Sequence, residues 1–521
     1  MRVSYLYLVV FVSGMATLAI ELTASRLLGN VFGTSNIVWA NVIGLILLYL
    51  TIGYFIGGRW ADRSPYRTTL YRIITWGAFL SAIIPIIATP VVRTAATAFS
   101  QLDAALALGS FVSILVLFAV PITLLGTVSP FVIRLSFHSV EQSGQVSGQV
   151  YAISTFGSIV GTFLPVLYTI PELGTRATFL LFAGLLYLVA WVGLWQELKH
   201  KALPTLWMAA VVVVLHIVIS EGVLRPPYGA NTLLYADDSP YNYIQVQQDP
   251  EGNRYLYLNE GQGIHSQWHP TQIFYNRTWD FFLVAPYFND AFQPKDMNSL
   301  LVIGLATGTI ARQHLAIYPQ LPIDGIEIDP DIIEVGVQFF EMNAEQMPTL
   351  NAIAADGRYG LNKLARTYTV IGIDAYRPPY IPWHLTTVEF FQEVKAKLEP
   401  QNGVLVINVG RTNRDRRLVD ALTNTLLNVF ASVHAIDVPR SFNTILVTTQ
   451  SPTARENLAR NTQALEGVPA PLLDVLNAAI AAQVDVARND VLFTDDRAPL
   501  ETLVDSLVLN FLLSDDTALL R

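Results

Sequence analysis

The chain contains no cysteine and few charged residues for its length of 521 residues. The absence of cysteine excludes disulfides, thiolate metal sites and a catalytic thiol. Charged residues make up only 14% of the chain and the mean hydropathy is +0.41, far from the average of soluble proteins. These values predict more than one domain, with a large apolar part.

Positive charge is also scarce. The 32 Lys and Arg residues are outnumbered by 41 Asp and Glu residues, and the net charge is −9. This balance gives no indication of a nucleic-acid partner. Most of the acidic residues follow Asp237, whereas the chain before about residue 220 is a series of apolar runs.

The N-terminal part, 1–224, is predicted to be a multi-pass α-helical membrane domain whose partner is the lipid bilayer. Seven runs are long enough to cross roughly 30 Å of hydrocarbon as helices. The fourth contains Pro121 and Pro130, so a kinked helix and a broken pair are both open. The predicted spans are 3–24, 37–57, 70–92, 104–135, 150–170, 177–195 and 204–221.

The orientation of these spans conflicts with the chemistry of the rest of the chain. Eight Lys and Arg residues fall on the side of the N-terminus and three on the other, which places the N-terminus in the cytoplasm. Seven spans would then put the C-terminal part outside, away from the adenosine cofactors of the cell. Either the span count is wrong by one or the domain is external; the chemistry favours a cytoplasmic domain on a protein of the cell inner membrane.

The segment from Ser239 to Gly263 alternates by twos on both sides of a turn at 250–253, which predicts a β-hairpin. We therefore expect a small β-hairpin domain over 225–290. The rest of the chain, 291–521, is predicted to be an α/β Rossmann-like domain.

Four short apolar strands in this last domain end at glycines or acids. SLLVIG ends at Gly304 and is followed by a turn that contains Gly308, and IDGIEID finishes on two acids, Glu327 and Asp329. AADG carries Asp356 and Gly357, and VIGID ends at Asp374. Strand ends of this kind, with helices between them, predict a parallel sheet with its ligand outside the carboxyl ends. Since a carboxylate can accept both hydroxyl protons of a ribose, an adenosine-containing ligand is expected.

The order of these motifs resembles the spermidine synthase (polyamine aminopropyltransferase) family, in its branch with fused N-terminal transmembrane spans. The resemblance covers essentially the whole chain, and its clearest part is 241–501. It is carried by YNYIQV, WDFFLVAP, LLVIGLATGTIARQ, EIDPDIIEVGVQFF, AADG, VIGIDAYRPP and FTDDRAPLE.

This resemblance implies that the Rossmann-like domain is of the methyltransferase type, and it implies a role for each matched residue. Glu327 would bind the ribose hydroxyls, and Asp356 would accept a hydrogen bond from the adenine amino group, with the backbone of Gly357 beside the ring. Gly304 and Gly308 would let the chain approach the ligand closely. Asp374 would be the general base, and Asp280 and Tyr376 would lie near the substrate. The co-substrate would be decarboxylated S-adenosylmethionine or S-adenosylmethionine, with no tightly bound cofactor, and the acceptor a small-molecule amine.

The chain departs from the family pattern at several positions that face the substrate. Ala306 and Thr307 replace the loop acid, Tyr376 and Arg377 replace the second acid after Asp374, and Phe281 replaces a glutamate. An aminopropyltransferase, an S-adenosylmethionine-dependent methyl- or alkyltransferase, and a non-enzymatic transporter or sensor therefore all remain open. A homo-oligomer is open as well.

Two further motifs are expected to be structural. Asp329 precedes Pro330 and is expected to cap a helix rather than bind a ligand. His265 and His269 are predicted to lie in a loop ending at Pro270 without a third ligand, so no metal site is expected.

Overall fold

A computed structural model of the chain describes residues 2–32, 36–99, 105–137, 143–219, 227–259, 263–376, 381–500 and 503–504. It separates into two compact units: 1–226 with 238–240, and 227–237 with 241–521. The predicted three-domain division stays a prediction. The predicted fold class is confirmed, because long apolar helices are followed by a small antiparallel sheet and a large mixed α/β sheet.

The first unit consists mainly of helices in its described part, with short connections between them. Helix α1 is buried among the others and packs against α2, α6 and α7, while α3 packs against α4, α7 and α8. Aliphatic and aromatic side chains form its core. The helices are α1 (Arg2–Phe32), α2 (Asn36–Arg63), α3 (Arg67–Phe99), α4 (Ala105–Gly126), α5 (Val128–Ser136), α6 (Ser143–Leu164), α7 (Ile170–Leu198) and α8 (Leu206–Ile219).

Five helical stretches of this unit are long and apolar enough to cross a membrane, against the seven spans expected. The difference lies in Ser143–Val218, a single stretch of 76 residues where the sequence predicted three spans. A π helix at Pro165–Thr169, a non-helical Gly174 and a 3₁₀ helix at Lys199–Thr205 join α6, α7 and α8. At about 1.5 Å per residue the stretch is far longer than one crossing requires.

The fourth predicted span corresponds to one apolar stretch, Leu108–Ser136, in which the helix is interrupted at Thr127. Helix α4 ends at Gly126, and α5 begins at Val128 after Thr127. Helix α4 thus ends four residues before Pro130, which lacks the N–H that would bond the Gly126 carbonyl, whereas Pro121 lies inside α4.

The predicted hairpin is confirmed as part of a four-stranded antiparallel sheet in the order β1-β2-β3-β4. Leu256, Leu258 and Trp268 of this sheet pack against Ile332 and Val335. The strands are β1 (Thr232–Asp238), β2 (Tyr243–Gln248), β3 (Arg254–Leu258) and β4 (Ile264–Trp268).

The large sheet has eight strands in the order β12-β10-β11-β9-β8-β5-β6-β7. The five strands from β7 through β6, β5 and β8 to β9 run parallel, whereas β10, β11 and β12 are antiparallel additions. The strands are β5 (Leu300–Ile303), β6 (Ile323–Glu327), β7 (Leu350–Ala354), β8 (Val370–Ile373), β9 (Val404–Gly410), β10 (Ser432–Asp437), β11 (Asn443–Thr449) and β12 (Gln483–Val484).

Helices cover both faces of this sheet and create two apolar cores. Because the chain runs from β5 to β6 on one side and β8 pairs with β5 on the other, the crevice beyond the carboxyl end of β5 is a topological switch point. The helices are α9 (Thr309–Ile317), α10 (Pro330–Phe339), α11 (Gly357–Lys363), α12 (Val388–Ala396), α13 (Arg417–Leu427), α14 (Asn457–Gln463) and α15 (Ala470–Ala481).

Candidate active site at the carboxyl ends of the parallel strands

The loop after β5 is held in a conformation that favours glycine. Gly304, Ala306 and Gly308 have φ values of 87°, 48° and 84°. A Cβ atom at Gly304 would lie 2.6 Å from the carbonyl carbon and oxygen of Asp374. The loop therefore packs directly on the residue predicted to be the base, and a side chain at Gly304 would be excluded by both conformation and space.

Glu327 ends β6 and anchors this loop. Its Oε2 accepts from the Ala306 N–H at 2.8 Å, and its Oε1 accepts from the Asp329 N–H at 3.2 Å. Burial raises the pKa of Glu327 to about 7, and the two backbone N–H donors oppose that rise. Each oxygen keeps acceptor capacity, so a ribose diol is compatible with this arrangement.

Asp329 is the N-cap of α10, as the sequence predicts. Its side chain accepts from the Asp331 N–H at 3.2 Å and from the Asn242 side-chain amide at 2.8 Å. Asn242, in the YNYIQV segment, thus joins the small sheet to the helix that follows Glu327.

One residue separates Asp356 from the end of β7, and Asp356 caps α11. Its Oδ1 accepts from the Arg358 and Tyr359 N–H groups at 3.0 Å each, and its Oδ2 lies 3.0 Å from Nε2 of His384. A Cβ atom at Gly357 would lie 2.6 Å from a methyl carbon of Ile303, so Gly357 lets α11 approach the end of β5. Capping is therefore observed, and contact with an adenine stays a prediction.

Asp374 follows β8 at the centre of the crevice. The amide of Asn408, on neighbouring β9, donates to its Oδ1 at 2.9 Å. Asp374 keeps some contact with solvent, but the surrounding protein desolvates it and raises its pKa to about 6, against the effect of Asn408 and Trp279. A carboxylate with this pKa is ionised at neutral pH and close to the value that suits a general base.

The two residues predicted near the substrate are differently placed. Asp280 is only 1% exposed and accepts from the Tyr275 and Asn276 N–H groups and, at 2.6 Å, from the Gln313 amide. Burial raises the pKa of Asp280 to about 6. Tyr376 donates to the Asn408 carbonyl at 3.1 Å, beside Asp374. Substrate contact stays a prediction for both, and Arg377 lies outside the described residues.

The expectation of a loop at His265 and His269 was wrong for His265. That residue lies in β4, whose pairing with β3 shifts register at Leu256 and Tyr257. The shift hides the alternation that identifies a strand. Nδ1 of His269 lies 3.0 Å from the Gln272 nitrogen, an interaction that organises its turn. Across the described ranges, no three metal-ligating side chains of the His, Asp and Glu types come together.

Three residues of the site carried no signal in the sequence. His384, Asn408 and Asn443 are brought to the strand ends by the fold, and each bonds to an acid or to a partner of an acid. Asparagines at strand ends are common in turns, so only knowledge of the strand neighbours would have singled them out.

Comparison with known proteins identifies this part of the chain. Residues 291–454, which include the whole crevice from Gly304 to Asn443, match the family model "Spermine/spermidine synthase domain". The C-terminal part of the protein is a spermine/spermidine synthase domain. The loop, Glu327, Asp356 and Asp374 all belong to this synthase domain.

Relatives of the synthase domain include both aminopropyltransferases and a methyltransferase. A Bifidobacterium longum protein named "Probable polyamine aminopropyl transferase" is 32% identical over 214 residues, 40% of this chain and 46% of the relative. "Polyamine aminopropyltransferase 2" of Aquifex aeolicus is 23% identical over 435 residues, 81% of this chain and 82% of the relative.

The human "eEF1A lysine and N-terminal methyltransferase" is 30% identical over 183 residues, 32% of this chain and 26% of the relative. The chain thus spans less than half the length of the first of these relatives and about a quarter of the human one.

Proposed function

We propose that the protein is a membrane-bound aminopropyltransferase that moves an aminopropyl group from decarboxylated S-adenosylmethionine to an amine. The observation that carries this proposal is the position of Asp374, an ionisable base packed against Gly304 in the loop that Glu327 anchors. The names of the aminopropyltransferase relatives support the same reaction class.

The strand ends carry acids that could bind an adenosine-containing substrate. The missing side chains of Gly304 and Gly357 let the loop after β5 pack on Asp374 and let α11 pack on Ile303, which brings the strand ends that carry the acids close together. Glu327 would bind the ribose hydroxyls and Asp356 the adenine amino group. Both acids are already fixed by backbone N–H donors, so little ordering is needed when the substrate binds.

Asp374 would act on the acceptor amine. The amine arrives as an ammonium ion, since alkylamine pKa values lie near that of lysine, about 10.4. Asp374 would hold the ammonium and take its proton, which frees the nitrogen lone pair. The nitrogen then bonds to the carbon next to the sulfonium, the carbon–sulfur bond breaks, and the sulfur leaves as a neutral thioether.

Replacement of Asp374 by Asn tests this assignment. The amide keeps the size of the side chain but cannot accept the proton, so turnover should fall at least about 100-fold, within the range of general-base effects. Binding of the adenosine substrate, measured by calorimetry on the full chain in detergent, should change little. Asp249→Asn, in the turn between β2 and β3, is the control. If Asp374→Asn turns over at a rate close to that of the wild type, Asp374 is not the general base.

A second candidate is a methyl- or alkyltransferase that uses S-adenosylmethionine itself. It is favoured by the loop, where Ala306 and Thr307 replace an acid and the buried Oγ1 of Thr307 has no partner among the described residues. A hydroxyl can donate to the carboxylate that S-adenosylmethionine keeps and its decarboxylated form lacks. Calorimetric preference for one form over the other separates the two candidates.

The membrane location is part of the proposal. Its support is the length and apolar composition of the helices, together with outward apolar side chains such as Phe55, Phe163 and Leu167. We propose a multi-pass protein of the cell inner membrane with the synthase domain on the cytoplasmic side, where adenosine substrates are made.

A further inference from the structure

The pairing of β8 with β9 places two polar side chains next to each other at the edge of the sheet. Ile373 and Ile407 are partners in the parallel register, so Asp374 and Asn408 follow them as neighbours. Nδ2 of Asn408 donates to Oδ1 of Asp374 at 2.9 Å. The Asn408 backbone carbonyl is held as well, by the Tyr376 hydroxyl at 3.1 Å.

The hydrogen bonds continue from Asn408 into β11. Strand β11 is antiparallel to β9, and its first residue, Asn443, donates from Nδ2 to Oδ1 of Asn408 at 2.8 Å. The Ser441 hydroxyl donates to Oδ1 of Asn443 at 2.7 Å and accepts from its backbone N–H at 3.1 Å. These three side chains thus form one chain of hydrogen bonds that ends at Asp374.

The direction of this chain follows from the charge at its end. An ionised carboxylate only accepts hydrogen bonds, so Asn408 must present its NH₂ group to Asp374. Its oxygen then faces Asn443, which must donate, and the oxygen of Asn443 faces the Ser441 hydroxyl, which must donate in turn. Every donor in the chain points toward the carboxylate.

We infer that Asn408 and Asn443 are positioning residues that orient the Asp374 carboxylate for proton abstraction. This inference rests on the proposed function. With Oδ1 held by Asn408, the plane of the carboxylate is fixed and its remaining lone pairs are left for the amine. Neither asparagine is required to touch the substrate.

The same chain favours the ionised form of Asp374. Burial raises the pKa of Asp374 to about 6, and the hydrogen bond from Asn408 works against this rise. Trp279 and Asn408 are neutral neighbours, and the titratable group that faces Asp374 in the described residues is the Tyr376 phenol, whose own pKa is raised by burial. Loss of the Asn408 donor should therefore move the pKa of Asp374 upward.

The first test is the pH dependence of kcat/KM for Asn408→Leu and Asn443→Leu in the full-length protein. The acidic midpoint, which lies near pH 6 if Asp374 is the base, should rise by about 0.5 unit or more in Asn408→Leu, a threefold or larger change in proton affinity. The shift should be smaller in Asn443→Leu, where the Asn408 amide only loses its orientation. Asn461→Leu is the matched control, because Asn461 is buried and donates only to the backbone carbonyls of Tyr287 and Asn289.

The second test does not depend on turnover. A carboxyl group whose folded pKa is raised contributes stability at low pH that is lost as the pH rises through that pKa. Asn408→Leu should therefore lose more thermal stability at pH 8 than at pH 5.5, and the added Asp374→Asn change should remove that difference. Asn461→Leu should lose stability equally at both values.

The outcomes separate this inference from the proposed function. A wild-type protein without turnover would contradict the proposed function, while the pH-dependent stability still tests the link between Asn408 and Asp374. If Asn408→Leu matches Asn461→Leu in both measurements, the chain of hydrogen bonds does not act on Asp374 and the inference is wrong.

Discussion

Glu327 shows how a single residue joins fold and binding in this crevice. Its two oxygens accept hydrogen bonds from the N–H groups of Ala306 and Asp329. The carboxylate that would bind the ribose thus also holds the loop after β5 in place. In Glu327→Gln one oxygen becomes an NH₂ group, which cannot accept from these donors or from a hydroxyl proton.

We expect Glu327→Gln to weaken binding of the adenosine substrate by about tenfold, or about 1.4 kcal/mol. Calorimetry on the full-length protein measures this change, and Glu345→Gln, at an exposed position, serves as the control. An affinity within twofold of the wild-type value would show that Glu327 does not bind the substrate. Because burial raises the pKa of Glu327 to about 7, wild-type affinity should also fall as the pH drops below 7.

The site residues that could be predicted are those marked by a local sequence pattern. Gly304, Glu327, Asp356 and Asp374 each end an apolar run, a local signal that survives without knowledge of the fold. Asn408 and Asn443 are 35 positions apart and meet because β11 pairs antiparallel with β9. No local pattern contains that pairing, and the sequence therefore predicted the base but not the residues that orient it.

At the scale of the element, the turn after β5 is the most constrained part of the synthase domain. Gly304 has a positive φ and also faces the backbone of Asp374, whereas Gly467 has a φ of 67° and open space within 4 Å of the point where a Cβ atom would lie. Gly467→Ala thus measures the cost of the backbone conformation alone, and Gly304→Ala adds the steric contact.

We expect Gly467→Ala to lower stability by about 1 kcal/mol and Gly304→Ala to lower it further and to abolish binding of the adenosine substrate. Thermal unfolding and calorimetry on the two full-length variants measure these effects. Equal losses of stability with intact binding in Gly304→Ala would show that the loop does not need to contact Asp374.

Helix α6 carries a comparable constraint in the first unit. Side-chain carbons at Gly157 and Gly161 would collide with the backbone carbonyls of Phe11 and Met15, whereas Gly148 on the same helix faces open space. Gly161→Leu should therefore separate α1 from α6 and lower the thermal stability of the detergent-solubilised protein. Gly148→Leu, the matched control, should leave it unchanged. Equal effects would mean that α1 and α6 are not in close contact.

At the scale of the whole molecule, the absence of cysteine provides a direct test of topology. Any introduced cysteine is unique, so Arg440→Cys marks the synthase domain in intact cells. We expect a membrane-impermeant maleimide to label it only after the cells are opened, which would place the domain in the cytoplasm. Labelling of intact cells would place it outside and would support the topology that seven spans imply.

The helical part was predictable as a class but not in its number of segments. Long apolar runs predict helices of this kind, since in lipid every backbone polar group would have to be bonded within the helix. The junctions at Pro165–Thr169 and Lys199–Thr205 remain helical in other geometries, so the sequence could not show where the long stretch Ser143–Val218 turns.

The central claim is that this crevice transfers an aminopropyl group. The most direct measurement is to incubate the full-length protein with decarboxylated S-adenosylmethionine and a panel of amines, and to follow the products by mass spectrometry. The account predicts an acceptor that gains one aminopropyl group, with product lost in Asp374→Asn and kept in Asp249→Asn. Binding of the adenosine substrate with no modified amine in the panel would contradict it and would favour a sensor or transporter.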